Sequence, residues 1–262
     1  MSALAPEITQ DLARSWIDRW DRQQETFLPD REERFTALID AVEASAGRRD
    51  PLVLDLGCGP GSLAVRLLDR LPRATVIAVD SDPLLMALGH AAYGDRAGLR
   101  FAVHDLRAPG WADRLGLDRP LDAAVSTTAL HWLLQRDLRA VYATVAGLLR
   151  PGGLLLNGDH FTVDDPTVAR LDRAVRTLED ARRFPGGHRE DWEAWWLAVA
   201  ADPALAGLAE ERRRTWSQVE EHHGTESDGL ETHVTALRAA GFAEIGTLWQ
   251  RGDSRVLCAV TA

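Results

Sequence analysis

Three glycines separated by single residues, Gly57, Gly59 and Gly61, follow an aliphatic run that includes Asp55. Glycine is unfavourable inside strands and helices, so this cluster at a strand end indicates a backbone that turns sharply or lies close to a ligand. Asp80 ends the next aliphatic run. A carboxylate in that place accepts hydrogen bonds from ribose hydroxyl groups in dinucleotide and adenosine sites. The spacing predicts a ligand that contains a nucleoside.

The same stretch narrows the class of ligand. A nicotinamide or flavin site prefers a glycine where Ser62 stands. All 30 basic residues are arginines, and the lack of lysine excludes Schiff-base chemistry and the lysine of phosphate-binding loops. An NAD(P)-dependent oxidoreductase is therefore disfavoured but stays as an alternative, as does a non-catalytic protein that binds an adenosyl ligand.

Hydrophobic periodicity predicts the elements that place these residues. Strands and helices alternate from residue 35 to residue 157, and the strands are apolar on both faces, which indicates a parallel sheet covered by helices. Near the C-terminus a helix that starts at Leu230 is followed by two apolar runs around the turn RGDS, which predicts an antiparallel hairpin.

The chain divides into four predicted parts. Residues 1–50 form an N-terminal helical arm or lid, and residues 51–160 form the ligand-binding core. Residues 161–229 are too long for an ordinary crossover and predict a helical insertion that caps the substrate. Its tryptophans, Trp192, Trp195 and Trp196, have helical spacing and form either core or a cage for an acceptor. Residues 230–262 complete the sheet.

Composition excludes several partners. A net charge of -10 disfavours nucleic acid, and no apolar run approaches the roughly 20 residues of a membrane span. No secretory signal pattern is visible, and Cys58 and Cys258 predict two reduced thiols, so we expect a cytoplasmic protein with a small-molecule partner and an undetermined oligomeric state. His222, His223 and His233 lack a compact ligand pattern, so no metal is expected.

Five motifs carry a family resemblance. LDLGCGPGS, VIAVDSDP, FAVHDLRAP, LDAAVSTTALHWL and LLRPGGLLL follow one another in residues 51–157 and resemble the successive motifs of class I S-adenosylmethionine-dependent methyltransferases of the small-molecule type. The resemblance implies a Rossmann-like, doubly wound α/β fold with a seven-stranded sheet, an antiparallel terminal hairpin and a helical insertion. It also implies S-adenosylmethionine as cofactor and S-adenosylhomocysteine as product.

The resemblance implies a role for each matching residue. Asp55 lies near the ammonium group of the cofactor and the three glycines wrap its methionine part, while Asp80 binds the ribose. The residues that border the adenosine or line the opening towards the methyl group are Ser81, Asp82, Asp105 at the adenine amino group, Leu106 on the ring, Ser126 and Thr127. An arm helix that closes over the cofactor would contribute Trp20 and either Gln23 or Gln24.

Methyl transfer requires a base only if the nucleophile carries a proton, and histidine is the usual candidate. His131 follows the fourth strand and is the predicted base, with a wall that packs on the cofactor as the alternative. Asp159 and His160 follow the fifth strand, where the two either pair structurally or act on the substrate.

Overall fold

The computed structural model describes residues 8–186, 190–217 and 229–262. Its strands form one sheet of seven strands in the order β3-β2-β1-β4-β5-β7-β6. Parallel pairing joins β1 to β2 and β4, β2 to β3, and β4 to β5, whereas β7 runs antiparallel to β5 and β6. The strands are β1 (Leu52–Leu56), β2 (Thr75–Asp80), β3 (Leu99–Val103), β4 (Leu121–Thr127), β5 (Leu149–His160), β6 (Phe242–Arg251) and β7 (Ser254–Thr261).

Helices cover both faces of this sheet, as the apolar strands require. Phe35 and Leu67 pack on one face, and Val141, Val145 and Leu237 pack on the other. The predicted Rossmann-like, doubly wound fold with its antiparallel terminal strands is confirmed. The helices are α1 (Gln10–Phe27), α2 (Arg31–Ala46), α3 (Ser62–Arg70), α4 (Pro83–Tyr93), α5 (Gln135–Leu148), α6 (Pro166–Arg183), α7 (Trp192–Ala201), α8 (Ala206–Ser217) and α9 (Leu230–Ala239).

Local sequence explains where the central helices start and stop. Asp82 caps α4 by accepting hydrogen bonds from the backbone amides of Leu84 and Leu85, and Pro83 occupies the first helical position. Helix α9 is followed by Gly241 with a φ of 94°, a left-handed conformation that glycine adopts without steric cost.

The N-terminal arm and the insertion meet in a second apolar cluster beside the sheet. Trp16, Ile17 and Trp20 of α1 pack with Leu84 and Leu88 of α4, and Trp195 of α7 completes the cluster. Helix α6 behaves differently, since none of its residues is buried. The arm is therefore held by α4 and α7 rather than standing away from the core.

None of the helices in the described ranges is both long enough and apolar enough to cross a membrane.

Candidate active site

A cavity of about 700 Å³ lies at the carboxyl ends of the parallel strands. The loop that follows β1 (residues 57–61, the glycine loop) forms one wall, and the residues after β4 form another. Helix α1 contributes Trp20 and Gln24, and helices α7 and α8 contribute Trp192, Arg212 and Trp216. The cavity is of a size typical of small-molecule and cofactor sites.

The three glycines of the loop share a backbone conformation but not a reason for lacking a side chain. Their φ values are 67°, 54° and 90° for Gly57, Gly59 and Gly61. A Cβ on Gly57 would lie 2.3 Å from the Cβ of Ala129, and one on Gly61 would lie 3.0 Å from Phe101. A Cβ on Gly59 would meet nothing closer than 3.9 Å. Packing therefore requires glycine at two positions, and Gly59 leaves open space at the cavity wall.

Asp80 is tied to the glycine loop at the end of β2. Its Oδ2 accepts from the Gly59 amide at 2.8 Å, and its Oδ1 accepts from the amides of Ser81 and Asp82 at 2.7 and 2.9 Å. A carboxylate offers about four acceptor positions. Three are used here, so Oδ2 keeps one position for a ribose hydroxyl group, and a second ribose bond would have to share an oxygen with a backbone amide.

Asp55 is fully buried behind the glycine loop. Within the described residues, neither of its oxygens has a hydrogen-bond partner of good geometry. Burial and the nearby Asp80 raise the pKa of Asp55 to about 7, although the backbone amide of Ala64 opposes the rise. Burial also raises the pKa of Asp80. Asp55 is not among the residues that line the cavity, whereas Asp80 is, so a positive group in the cavity would meet Asp80 directly and Asp55 only from behind the loop.

The adenosine side of the cavity carries two carboxylates that are already paired. The Nε atom of Arg212 donates a hydrogen bond to Oδ2 of Asp82 at 2.5 Å, and Asp82 also caps α4. Asp105 binds the guanidinium and the backbone amide of Arg107, and these bonds lower its pKa despite partial burial. Ser81, Asp82, Asp105 and Leu106 all line the cavity, as the resemblance implies.

The opposite end of the cavity holds a histidine and carboxylate pair. The Nδ1 atom of His131, in the short turn Leu130–Trp132, lies 3.0 Å from both oxygens of Asp159 on β5. Burial alone would raise the pKa of Asp159, but His131 and Arg34 hold it at about 2. Because the ionised carboxylate can only accept, Nδ1 of the neutral imidazole carries the hydrogen and Nε2 carries the lone pair.

The structure corrects the predicted pairing of Asp159 with His160. Asp159 accepts from the backbone amide of His160, but its side-chain partner is His131. The imidazole Nδ1 of His160 lies 3.2 Å from Oδ1 of Asp253 in the turn between β6 and β7. Neighbouring residues on a strand point to opposite faces, which separates the two side chains. Only the tertiary fold brings Asp253 to this site.

Of two adjacent residues at the end of β4, one matches the prediction and one does not. Thr127 lines the cavity, as predicted. Ser126 is fully buried and donates its hydroxyl hydrogen to the carbonyl oxygen of Leu56 at 2.8 Å, so it binds strand β1 and does not reach the cavity. The alternation of side chains along a strand explains why one residue faces the site and the other does not. Thr128, which follows, has a φ of 49° and also lines the cavity.

The arm contacts the start of α3, directly after the glycine loop, through an unpredicted ionic cluster. The hydroxyl of Ser62 donates to Oδ1 of Asp21 on α1 at 2.6 Å, and Asp21 also pairs with Arg31 and Arg66. Trp20 and Gln24 of the same helix line the cavity, whereas Gln23 is fully buried and accepts from Gln24. The sequence left open whether Gln23 or Gln24 faces the ligand, and the structure places Gln24 at the cavity.

The tryptophans of the insertion divide between the apolar core and the cavity wall. Trp195 is fully buried in the arm cluster, whereas Trp192 lines the cavity. Trp196 stacks on the guanidinium of Arg212, which lies 3.5 Å from its ring centroid. Trp216 meets Trp132 edge to face at 5.7 Å. Sequence analysis assigned no role to Arg212 and Trp216, because the insertion has no recognisable motif, nor to Trp132, although it lies inside the motif LDAAVSTTALHWL.

The histidines considered for a metal have other surroundings. His233 is buried in the core, where its Nδ1 lies 2.6 Å from the Tyr142 hydroxyl. His222 and His223 lie outside the described residues. In the ranges that the structure covers, no group of three or more His, Cys, Asp and Glu side chains is arranged to hold a metal ion.

Comparison with known proteins identifies the central region. A family model described as a methyltransferase domain matches residues 53–153. Over this region the chain is therefore similar to methyltransferases, both in the family model and in curated relatives. The resemblance drawn from the five motifs is therefore confirmed.

Curated relatives match part of the chain. A trans-aconitate 2-methyltransferase of Streptomyces coelicolor is 33% identical over 138 residues, which cover 51% of this chain and 41% of that protein. One of Methylobacterium radiotolerans is 33% identical over 156 residues, which cover 60% of this chain and 50% of that protein. The chain thus spans about half the length of the curated relatives it matches.

Solved structures share the fold. Magnesium protoporphyrin IX methyltransferase of Synechocystis PCC 6803, with bound SAH, gives a TM-score of 0.54 at 20% identity and covers 94% of both chains. Human N-acetylserotonin methyltransferase in complex with SAM gives 0.53 at 17% identity, covering 87% of this chain and 51% of that one. At these identities the likeness concerns the fold alone.

Proposed function

We propose that this protein is an S-adenosylmethionine-dependent methyltransferase that acts on a small-molecule acceptor and releases S-adenosylhomocysteine. One observation carries the proposal. A single cavity joins the glycine loop and Asp80 at one end to the His131–Asp159 pair at the other. The residues proposed for cofactor binding and the residue proposed for proton acceptance thus line one cavity.

The residues of the first end fit the cofactor. S-adenosylmethionine carries an ammonium and a sulfonium group, and the buried, unpaired carboxylate of Asp55 suits a cation at the glycine loop. Gly59 leaves the wall open, and Oδ2 of Asp80 keeps an acceptor position for the ribose. Asp105 and Leu106 would border the adenine, while Thr127 would face the methyl group. When bound, this cofactor supplies an electrophilic methyl group.

The protein contributes alignment and a proton acceptor. Holding the nucleophile in line with the methyl carbon and excluding water can supply roughly 7 to 11 kcal/mol of the barrier. Where the acceptor carries a proton, Nε2 of His131 takes it, and Asp159 stabilises the imidazolium that results. Trp132, Trp192 and Trp216 enclose the acceptor, with residues 161–229 as its cap.

Several features support a small acceptor. The net charge of -10 disfavours nucleic acid, and the cavity suits a small ligand beside the cofactor. Because relatives carry the name trans-aconitate 2-methyltransferase, carboxylic acids are the first acceptors to test. We place the protein in the cytoplasm, in line with its two free cysteines, Cys58 and Cys258.

The deciding experiment is isothermal titration of the purified protein with S-adenosylhomocysteine, followed by a methyl-transfer assay on a panel of small acids and phenols. Tight binding and mass gain of one acceptor would support the proposal. Thermal stabilisation by NAD or NADP in place of S-adenosylhomocysteine would favour the oxidoreductase alternative. Binding without turnover on any acceptor, together with retained ligand after purification, would favour a non-catalytic adenosyl-binding protein.

A further inference from the structure

A second histidine and carboxylate pair lies at the cavity wall after β5. His160, the last residue of β5, lines the cavity, and 26% of its side-chain surface is exposed. Its Nδ1 lies 3.2 Å from Oδ1 of Asp253, and Nη1 of Arg176 on α6 lies 3.2 Å from the same nitrogen. Arg176 also approaches Asp253, with 3.4 Å between Nη1 and Oδ2. Side chains from β5, α6 and the last hairpin therefore meet at one residue of the cavity wall.

The turn that carries Asp253 is fixed by its backbone. The amide of Phe161 donates to the carbonyl oxygen of Asp253 at 2.8 Å. Gly252 has a φ of 56°, and a Cβ there would lie 2.6 Å from the carbonyl oxygen of Asp172 on α6. A larger residue would push the turn away from α6. The carboxylate of Asp253 is thus presented to the His160 ring by contacts that do not depend on the ring.

Both hydrogen-bond partners of the His160 ring in the described ranges lie at Nδ1, which leaves Nε2 for a ligand. Although burial opposes it, the hydrogen bond with His160 and the charges of His160 and Arg176 lower the pKa of Asp253, so this carboxylate only accepts. The guanidinium of Arg176 only donates.

These two partners determine what Nε2 can offer. In the imidazolium, Nδ1 donates to Asp253 and Nε2 also carries a hydrogen. In one neutral tautomer, Nδ1 accepts from Arg176 and Nε2 again carries the hydrogen. Only in the other neutral tautomer, where Nδ1 donates to Asp253, does Nε2 accept. A ligand group that can only accept therefore finds a donor in two of the three states of the ring.

The acidic residues of the cavity wall lie on the other side of the sheet. In the described ranges they are Asp80, Asp82 and Asp105, which end or follow β2 and β3. His160 ends β5, three strand positions from β2 and roughly 14 Å away across the sheet. Asp159 and Asp253 do not line the cavity, and each pairs with a basic side chain. An anionic group beside His160 would thus meet a donor and no unpaired carboxylate of the wall.

We propose that His160 binds the acceptor: Nε2 donates a hydrogen bond to a carboxylate group of the acceptor, and Asp253 and Arg176 are positioning residues that hold the ring. The inference rests on the proposed function, since it names the chemical class of the acceptor and a residue that binds it. Carboxylates fit because they are ionised near neutral pH and only accept.

The test is calorimetry on the protein saturated with S-adenosylhomocysteine, with benzoate, succinate and citrate as probes and the primary amide of each acid as its neutral counterpart. At least one acid should bind, and its amide should bind at least about tenfold more weakly. His160→Leu should weaken binding of that acid about 10- to 100-fold, the value of a hydrogen bond to a charged group. His160→Gln keeps a donor and should lose less. Failure of all three acids to bind, or equal affinity in His160→Leu, would overturn the proposal.

NMR of protein with ¹⁵N-labelled histidine tests the contact without an activity measurement. The His160 signals are assigned by their loss in His160→Gln. With the acid bound, Nε2 of His160 should carry a hydrogen, and an Nε2 without one would contradict the proposed bond.

The positioning residues should have smaller effects on the same affinity. Asp253→Asn and Arg176→Met should each weaken binding of the acid about threefold, the contribution of a weak hydrogen bond, because the ring is held less firmly. Arg176→Lys keeps a donor and should restore most of the affinity. Affinity unchanged in both Asp253→Asn and Arg176→Met would remove their role.

A matched control replaces a histidine on the other side of the cavity. His104 lines the wall after β3, so His104→Leu should leave binding of the acid unaltered. A loss equal to that of His160→Leu would mean that the acid does not bind at His160.

Titration with S-adenosylhomocysteine keeps the two proposals apart. His160→Leu should bind it like the unaltered protein, because the cofactor residues lie at the other strands. If the unaltered protein does not bind it, the proposed function fails, and titration of the ligand-free protein with the acids still tests His160. Binding of S-adenosylhomocysteine without binding of any acid contradicts the role of His160 alone.

Discussion

Two regions behind the cavity wall hold the same residue type in opposite electrostatic settings. Asp55 and Asp159 are both buried near the carboxyl ends of strands in one sheet. Asp55 lies beside another carboxylate, and its pKa is raised to about 7, whereas Asp159 lies beside His131 and Arg34, and its pKa is held at about 2. Asp55 therefore has an acidic neighbour, and Asp159 has basic ones. The same side chain type is held with opposite shifts of its pKa by its neighbours alone.

The largest expected effect is on ligand affinity and comes from replacing Asp80, which lies near Asp55. Asp80→Ala should weaken binding of S-adenosylhomocysteine about 100-fold, since it removes a charged acceptor of the ribose together with three bonds that hold the loop. Calorimetry measures this directly. Asp69→Ala removes an exposed partner of Arg96 and serves as control. Unchanged affinity in Asp80→Ala would show that the ligand binds elsewhere.

Removing the carboxylate of Asp159 should lower the stability of the folded protein. Since its depressed pKa stabilises the folded state above pH 3.8, Asp159→Asn should reduce the free energy of unfolding by about 2 kcal/mol near neutral pH. The stabilisation is lost as pH falls through about 2, so the two proteins should converge there. Urea unfolding across acidic pH measures the difference. A difference that stays constant with pH would mean that the charge of Asp159 is not its source.

Replacing Asp55 should change the stability of the folded protein in the opposite direction. A raised pKa means that Asp55 favours folding while protonated and costs stability as pH rises from 3.8 through about 7. Asp55→Asn should therefore stabilise the ligand-free protein by about 1 to 2 kcal/mol above pH 7, after the cost of burying an amide is subtracted. Near pH 3.8 the stabilisation should be small. Thermal melts at several pH values measure it. Destabilisation at all pH values would refute the contrast drawn between Asp55 and Asp159.

The smallest effect should come from breaking the ion pair between Asp82 and Arg212. Asp82 borders the predicted adenosine site but already pairs with Arg212. Arg212→Gln removes this link between α8 and α4 and should weaken S-adenosylhomocysteine binding only about fivefold, the value of a modest ion pair. Arg213→Gln breaks an exposed pair with Glu210 on the same helix and should leave binding unaltered. A loss as large as that of Asp80→Ala would place Arg212 in direct contact with the ligand.

The sequence by itself determined the sheet and the cofactor end of the cavity. Alternating apolar strands and helices impose a parallel sheet, and in such a sheet the turns after β1 and β2 lie at one edge. Asp80 and the glycine loop could therefore be placed together from their positions along the chain. Their spacing could not show that Gly57 packs on Ala129 and Gly61 on Phe101, so that only Gly59 leaves open space.

Only the tertiary structure shows which side chains meet around His131. Asp159 meets His131 rather than His160, and Ser126 turns away from the cavity, because side chains alternate across a strand and the register sets which face they share. Arg34 reaches Thr127 from α2, and a Cβ on Gly158 would lie 3.1 Å from its Cδ. Contacts between residues far apart in the chain depend on packing across the sheet, and local sequence patterns record only which elements form, not which side chains meet.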